Sequence, residues 1–219
     1  MTLAPHPKII YPDSDGQPMA DNTVQFNWIV LIKENLEWLF ADQPQVFVGG
    51  DLLWYPVEGR PDMRVAPDVM VVLGRPKGQR GSYQQWQEEQ IPPQVVFEIL
   101  SPSNTLKEMA KKFKFYDHYG VEEYYIYHPD RQDLTGCQRL EGELMVIEDM
   151  ADWVSPRLGI RFGWTDNQLS LYCPDGRPFL TMVQLAQRLE QSEQRAELQY
   201  QRAERLAAQL RALGVEPEK

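Results

Sequence analysis

Cysteine is nearly missing from this 219-residue chain, which has only Cys137 and Cys173. Two thiols so far apart exclude a disulfide framework and a cysteine-based zinc site, and are expected as reduced core residues of a cytosolic protein. Histidine is as scarce. His6, His118 and His128 are scattered, which argues against a histidine metal centre. No apolar run approaches the ~20 residues of a membrane span, and no export leader is read at the start, so a cytoplasmic protein is expected. The pattern G-x-x-x-x-G-K-[ST] is absent, which excludes a P-loop. Positive charge is also short, with a net charge of −10. Residues 184–219 hold six basic and six acidic side chains, so the whole excess lies in residues 1–183. A protein that grips duplex nucleic acid usually shows a basic face. Any such role here needs locally gathered cations or a partner that supplies affinity.

What the chain does have is apolar material, including six tryptophans, enough for one sizeable domain plus an appendage. Its most informative stretch is residues 94–128. Gln94 to Leu100 is a β-branched apolar run bounded by Pro92-Pro93 and Ser101-Pro102-Ser103, and it reads as a buried strand. Glu98 is the one charge inside it, and a carboxylate there costs several kcal/mol or more unless it is compensated. Ser103 or Asn104 then caps a helix with the stripe Leu106, Met109, Ala110, Phe113 and Tyr116, ended by Gly120. Lys112 lies beside that stripe, one turn from Glu108 and Tyr116. The chain re-enters the sheet over Glu123 to His128. A strand–helix–strand crossover of this length predicts parallel strands.

Asp68 heads a second apolar run, Val69 to Leu73. The chain also holds Pro12-Asp13, Pro61-Asp62, Pro129-Asp130 and Pro174-Asp175, so the Pro67-Asp68 dipeptide alone means little. What distinguishes Asp68 is that it leads into an apolar strand that precedes the Glu98 strand. Two carboxylates on neighbouring strands, with a lysine on the packing helix, suit a hard cation such as Mg²⁺, which keeps several waters and accepts phosphate oxygens.

Pro67-Asp68, then Glu98-Ile99-Leu100-Ser101-Pro102-Ser103, then Lys112, Tyr116 and Gly120-Val121-Glu122-Glu123-Tyr124-Tyr125-Ile126 together resemble the Uma-two family of bacterial endonucleases. That family sits within the PD-(D/E)XK nuclease superfamily. The resemblance covers residues 10–180. It implies an α/β (α+β mixed-sheet) fold, a restriction-endonuclease-like core with flanking helices. It also implies a metal-dependent DNA endonuclease in which Asp68, Glu98 and the Ile99 carbonyl hold Mg²⁺ or Mn²⁺. The superfamily's lysine two residues after the glutamate is Leu100 here. The family resemblance moves that role to Lys112 on the following helix, with Lys111 and Lys114 as competitors. The glutamate that the family often carries after a tyrosine near the start is replaced by Pro12, with Asp13 beside it. A catalytically silent descendant, acting as an adaptor on the same fold, is the alternative function.

Elsewhere, residues 1–20 read as an arm and 21–180 as the nuclease domain. Asp21-Asn22-Thr23 caps a helix to about Phe40 with the stripe Val24, Trp28, Leu31, Ile32, Leu36 and Leu39. Glu34 and Glu37 sit off that stripe. Val46 to Tyr55 is a strand broken at Gly49-Gly50, with Asp51 after the break. Gly74 to Tyr83 is a basic, glycine-rich loop whose Arg75, Lys77 and Arg80 are candidate phosphate contacts, with Tyr83 and Trp86 as candidate base-stacking platforms. Gln84 to Gln90 reads as a short helix. Leu134–Leu140, Glu143–Ile147, Leu158–Phe162 and Gln168–Tyr172 are expected to extend the sheet antiparallel. In residues 181–219 a four-three spacing of Leu185, Leu189, Ser192, Ala196, Gln199, Ala203, Leu206, Leu210 and Leu213 predicts a coiled-coil helix for homodimerisation.

Overall fold

The computed structural model describes residues 9–14, 16, 18–166 and 168–213. Helix α1 spans Thr23–Leu39. It is followed by β1 (Val46–Gly50), β2 (Trp54–Tyr55), β3 (Val69–Leu73), β4 (Tyr83–Gln84), β5 (Val95–Ile99), α2 (Leu106–His118), β6 (Glu123–His128), β7 (Asp133–Leu140), β8 (Glu143–Val146), β9 (Arg161–Thr165), β10 (Gln168–Tyr172) and α3 (Met182–Ala212). Six strands form one mixed sheet in the order β1-β3-β5-β6-β7-β8. Only β5 and β6 are parallel in it, as the α2 crossover requires. The fold is therefore mixed α/β, in the class expected. Packing divides the chain into two units, Met1–Phe179 and Leu180–Lys219.

Strand alternation gives the sheet two different faces. Val69, Val71, Val95, Phe97 and Ile99 point to one side, where α1 and the β9–β10 hairpin cover them. Met70, Val72, Val96 and Tyr124 point to the other, beneath Tyr116 of α2 and Trp54 of β2. Trp54 stacks on Tyr116, with centroids 6.4 Å apart and planes 2° from parallel. It donates from Nε1 to Gln85 Oε1 at 3.0 Å.

Several local expectations are corrected. The buried line of α1 is Gln25, Ile29, Ile32 and Leu36, while Val24 is 44% exposed. Ile29 gives that line a better-centred apolar face than Val24, and Gln25 is admitted because it finds hydrogen bonds. Helix α2 starts one residue later than expected, because Thr105 and Glu108 form a capping box that satisfies two backbone amides. Leu106 is then left 91% exposed at the first position. The segment after Gln84 holds only a single 3₁₀ turn, Gln85–Gln87. Strand β9 begins at Arg161, not near Leu158, and β10 is the one strand it pairs with among the described residues, beside a single bridge from Arg161 to Val154. The two form a separate hairpin over the core and do not extend the sheet. Cys137 and Cys173 are buried and free.

Among the described residues no helix is long and apolar enough to cross a membrane. In the second unit, α3 runs 31 residues, with a capping box of Thr181 and Gln184. None of its residues is buried.

Candidate active site

Asp68 immediately precedes β3. The antiparallel register that sets Val69 opposite Phe97 and Met70 opposite Val96 sets Asp68 opposite Glu98. By alternation both side chains belong to the α2 face, alongside Met70 and Val96. The backbone N–H of Ile99 donates to Asp68 Oδ2 at 2.6 Å, and the N–H of Asp51 donates to the Asp68 carbonyl at 3.1 Å. Lys112 reaches in from α2 and donates from Nζ to Glu98 Oε2 at 2.7 Å. One turn on, the Tyr116 hydroxyl donates to Glu98 Oε1 at 2.5 Å. Asp68, Glu98 and Lys112, drawn from three separate elements, therefore meet in one place. Lys111 and Lys114 are exposed on α2, and Lys112 alone makes the contact.

The electrostatics follow from burial. Asp68 is 8% and Glu98 2% exposed. Desolvation, then the neighbouring Glu98 carboxylate, holds the Asp68 carboxyl well above its ordinary range. For Lys112, burial pulls the ammonium down, but Glu98 and Asp68 more than offset it, and the net shift is upward. Lys112 is therefore a held cation, not a neutral amine. The Tyr116 hydroxyl is raised by burial and by Glu98. The Tyr124 hydroxyl, also on this face, is buried and has no hydrogen-bond partner among the described residues.

The donor set fits a hard divalent ion. It offers two carboxylates whose oxygens retain free lone pairs, plus the Ile99 carbonyl. Among the described residues no group of three or more His, Cys, Asp or Glu is arranged for a metal, so most of such an ion's remaining shell would be water. The raised proton affinity of Asp68 comes first from burial and then from repulsion by Glu98. Asp51 contributes to that repulsion as well.

Two buried polar side chains escaped the sequence reading. Gln25 donates from Nε2 to the Ile99 carbonyl at 2.8 Å, and its Oε1 accepts from the Asp21 N–H at 2.8 Å. Its signal was present: positions 25, 29, 32 and 36 share one helix face. Asp21 in turn accepts from the hydroxyls of Ser101 and Ser103, which ties the start of α1 to the end of β5. Glu123 is 1% exposed. It accepts from Ser155 Oγ at 2.5 Å, Tyr125 Oη at 2.9 Å and the Arg157 N–H at 2.7 Å. It anchors a connection on the other sheet face, and burial raises its carboxyl.

The basic loop is not gathered at this place. It leaves β3 after Leu73, five residues beyond Asp68, or about 17 Å along a strand. Arg75 Nε and Arg80 Nε lie 2.9 and 2.7 Å from Glu88, Arg75 also pairs with Glu89, and both side chains are 12% exposed. The Arg80 guanidinium sits 4.0 Å over the Phe47 ring. Lys77 is the exposed member of the three. Tyr83 is fully buried and donates to the Ile91 carbonyl at 2.7 Å, so it offers no stacking platform. Trp86 packs against Tyr11. Asp13 lies against Gly81 of the same loop. Glu34 and Glu37 pair with Lys33 on the outside of α1.

Residues 10–172 match the model of the Uma2 family, described as "Putative restriction endonuclease". A similar solved structure is the crystal structure of a "putative nuclease belonging to DUF820" from Anabaena variabilis. It has 15% identity and a TM-score of 0.45, and the match covers 62% of this chain and 72% of that one. No curated protein matches the chain.

Proposed function

Because the chain belongs to the Uma2 family of restriction-endonuclease-like proteins, we propose that it is a nuclease which hydrolyses phosphodiester bonds in DNA with a divalent cation, Mg²⁺ or Mn²⁺. The observation that carries this reading is the meeting of Asp68 and Glu98 across adjacent strands, with Lys112 Nζ 2.7 Å from Glu98. Asp68, Glu98 and the Ile99 carbonyl would hold the ion. When bound, it supplies charge neutralisation at the phosphate and acidifies a coordinated water.

The remaining work falls to the chain's own groups. Lys112, kept protonated by the acid pair, offers its ammonium to charge developing on the phosphoryl oxygens. Tyr116 and Lys112 fix both oxygens of Glu98, which limits its rotation. The Ile99 N–H fixes one oxygen of Asp68. Gln25 holds the Ile99 carbonyl, so the peptide units on both sides of Ile99 are held. Lys77 is the exposed basic-loop residue assigned to flanking phosphate. Arg75 and Arg80 keep that role only if Glu88 releases them. Self-association through α3 would present two such sites together.

The test is nicking of supercoiled plasmid in Mn²⁺ or Mg²⁺. Wild type is expected to nick. Asp68→Ala, Glu98→Gln and Lys112→Ala should each lose at least about 100-fold, the order seen when one charge-stabilising group is removed. Failure of the wild type to cut duplex, single-stranded and branched DNA with either metal refutes the reading. One observation favours the adaptor alternative: both acids already have partners within the protein, and among the described residues no group of three or more such side chains is arranged for a metal. An adaptor would show no metal-dependent rise in melting temperature, because nothing would bind the folded state preferentially.

A further inference from the structure

Helix α3 carries 31 residues without burying one. A lone helix, even of this length, has modest stability in water without a partner. Its large apolar residues are nevertheless patterned. Leu185, Leu206 and Leu213 occupy one set of heptad positions and Leu189 and Leu210 the other. All five are exposed, from 38% at Leu210 to 79% at Leu213. The middle of the same seam is Ser192, Ala196, Gln199 and Ala203, so both leucine clusters lie at the ends.

We infer that α3 pairs with α3 of a second copy of this chain as a parallel, in-register two-stranded coiled coil, and the charges beside the seam select that orientation. With Leu189 and Leu210 at a and Leu185, Leu206 and Leu213 at d, the flanking g positions are Arg188, Arg195, Arg202 and Gln209, and the e positions include Glu193 and Tyr200. In a parallel pair each g residue faces the e residue five positions on in the other helix. Arg188 then meets Glu193 of the second copy, and the contact occurs twice. Like seam residues also meet: leucine on leucine, and Gln199 on Gln199, whose amides can hydrogen-bond to each other.

An antiparallel pair can also match leucines, placing Leu185 on Leu210 and Leu189 on Leu206. It then sets Arg195 against Arg202 twice and leaves Glu193 beside Tyr200. The antiparallel arrangement therefore gains two like-charge contacts and loses two opposite-charge ones. A polar seam residue such as Gln199 also favours a fixed register, because a slipped pair would bury its amide against an apolar neighbour. This pairing does not depend on the nuclease reading. It holds or fails by mass and charge alone.

The experiment is sedimentation equilibrium of the full chain and its variants at low salt, with circular dichroism to confirm folding. Wild type is expected to be a dimer. Leu206→Asp, in the C-terminal leucine cluster of the seam and outside the first unit, should leave a folded monomer. Arg188→Glu should weaken the dimer by about tenfold, equivalent to about 1.4 kcal/mol. Arg188→Glu combined with Glu193→Arg should restore it, while Arg195→Glu changes little. A wild-type monomer at about 100 µM, roughly 100 times a micromolar Kd, overturns the pairing. So does a dimer that survives Leu206→Asp. Tightening on Arg195→Glu, with indifference to Arg188→Glu, overturns the parallel orientation in favour of the antiparallel one.

Discussion

Replacing Asp68 by Asn should stabilise the metal-free protein while abolishing the proposed cleavage. Asparagine has nearly the same shape, and its carbonyl oxygen can still accept the Ile99 N–H that Asp68 accepts at 2.6 Å. What disappears is one of two buried acids. Cross-strand partners have Cβ atoms about 5 Å apart. At a pH where both are ionised, charges at that spacing repel by ~3 kcal/mol at an effective dielectric near 20. Lys112, 2.7 Å from Glu98, offsets part of this, leaving a net relief of ~1–2 kcal/mol. Each kcal/mol shifts the melting temperature of a chain this size by about 2–4 °C, so Asp68→Asn in EDTA should melt ~2–8 °C above wild type. In Mn²⁺ the order should reverse, because an ion at 100 times its Kd adds ~2.7 kcal/mol to a protein that binds it, and the variant has lost one of the two acids proposed to hold it. The assay is a thermal melt with and without metal. A variant that melts below wild type in EDTA, or that gains the same metal shift as wild type, refutes the claim that Asp68 and Glu98 form an acid pair awaiting a cation.

Lys112→Ala should cost ~3 kcal/mol in urea unfolding, because it strands a buried Glu98, and Lys112→Met with Glu98→Gln should recover most of that loss while remaining inactive. Burial raises the Glu123 carboxyl, so the folded chain holds that proton more tightly than the unfolded one. Its contribution to stability is therefore present at low pH and lost as pH rises through its folded-state pKa. Urea midpoints at pH 5 and pH 8 should differ less in Glu123→Gln than in wild type, and an unchanged difference would count against the assignment. Arg80→Ala should destabilise the first unit by ~2 kcal/mol, since it leaves Glu88 with one fewer partner and uncovers Phe47. Lys77→Ala should leave stability within about 0.5 kcal/mol and lower only the salt-dependent affinity for DNA, as read by fluorescence anisotropy.

The stretch from Val95 to His128 was legible because each level of its sequence agrees with the next. An apolar run, a turn, an amphipathic helix and a second apolar run can close only as a parallel pair, and the one acid in the first run had to be answered by something on the helix. The chain was harder to read where tertiary partners override local pattern. The Arg75–Arg80 loop is basic in sequence, but Glu88 lies only 13 and 8 residues away and pairs with both guanidiniums in space, with Glu89 as the second acid on Arg75. Composition within a loop cannot show which acids fold back on it. The capping of α2 turned on a choice between neighbouring Ser, Asn and Thr, and Glu108 decided it by reaching back to Thr105. The β9–β10 hairpin has strand-like alternation, which reveals one buried face but not which sheet it joins. Gln25 and Glu123 look like ordinary surface residues by type, and only their partners explain why they are buried.

The position of the site depends on a register, and the register is held from outside the ladder. A one-residue slip of β3 against β5 would turn one of the two acids to the α1 face, because side chains alternate with period two. At one end of the ladder Gln94 prevents the slip: its N–H donates to the Val71 carbonyl at 3.1 Å and its Oε1 accepts from the Leu73 N–H at 2.7 Å. At the other end, Asp68 itself accepts from the Ile99 N–H, while Asp51 holds the Asp68 carbonyl. Asp68 thus has two functions that compete. As a backbone acceptor it locks the strands, and that function survives replacement by asparagine. As a charge it opposes Glu98, and that function makes sense only with a cation nearby. The register explains why both acids face α2, and the repulsion between them explains why the Lys112 ammonium is held on that face.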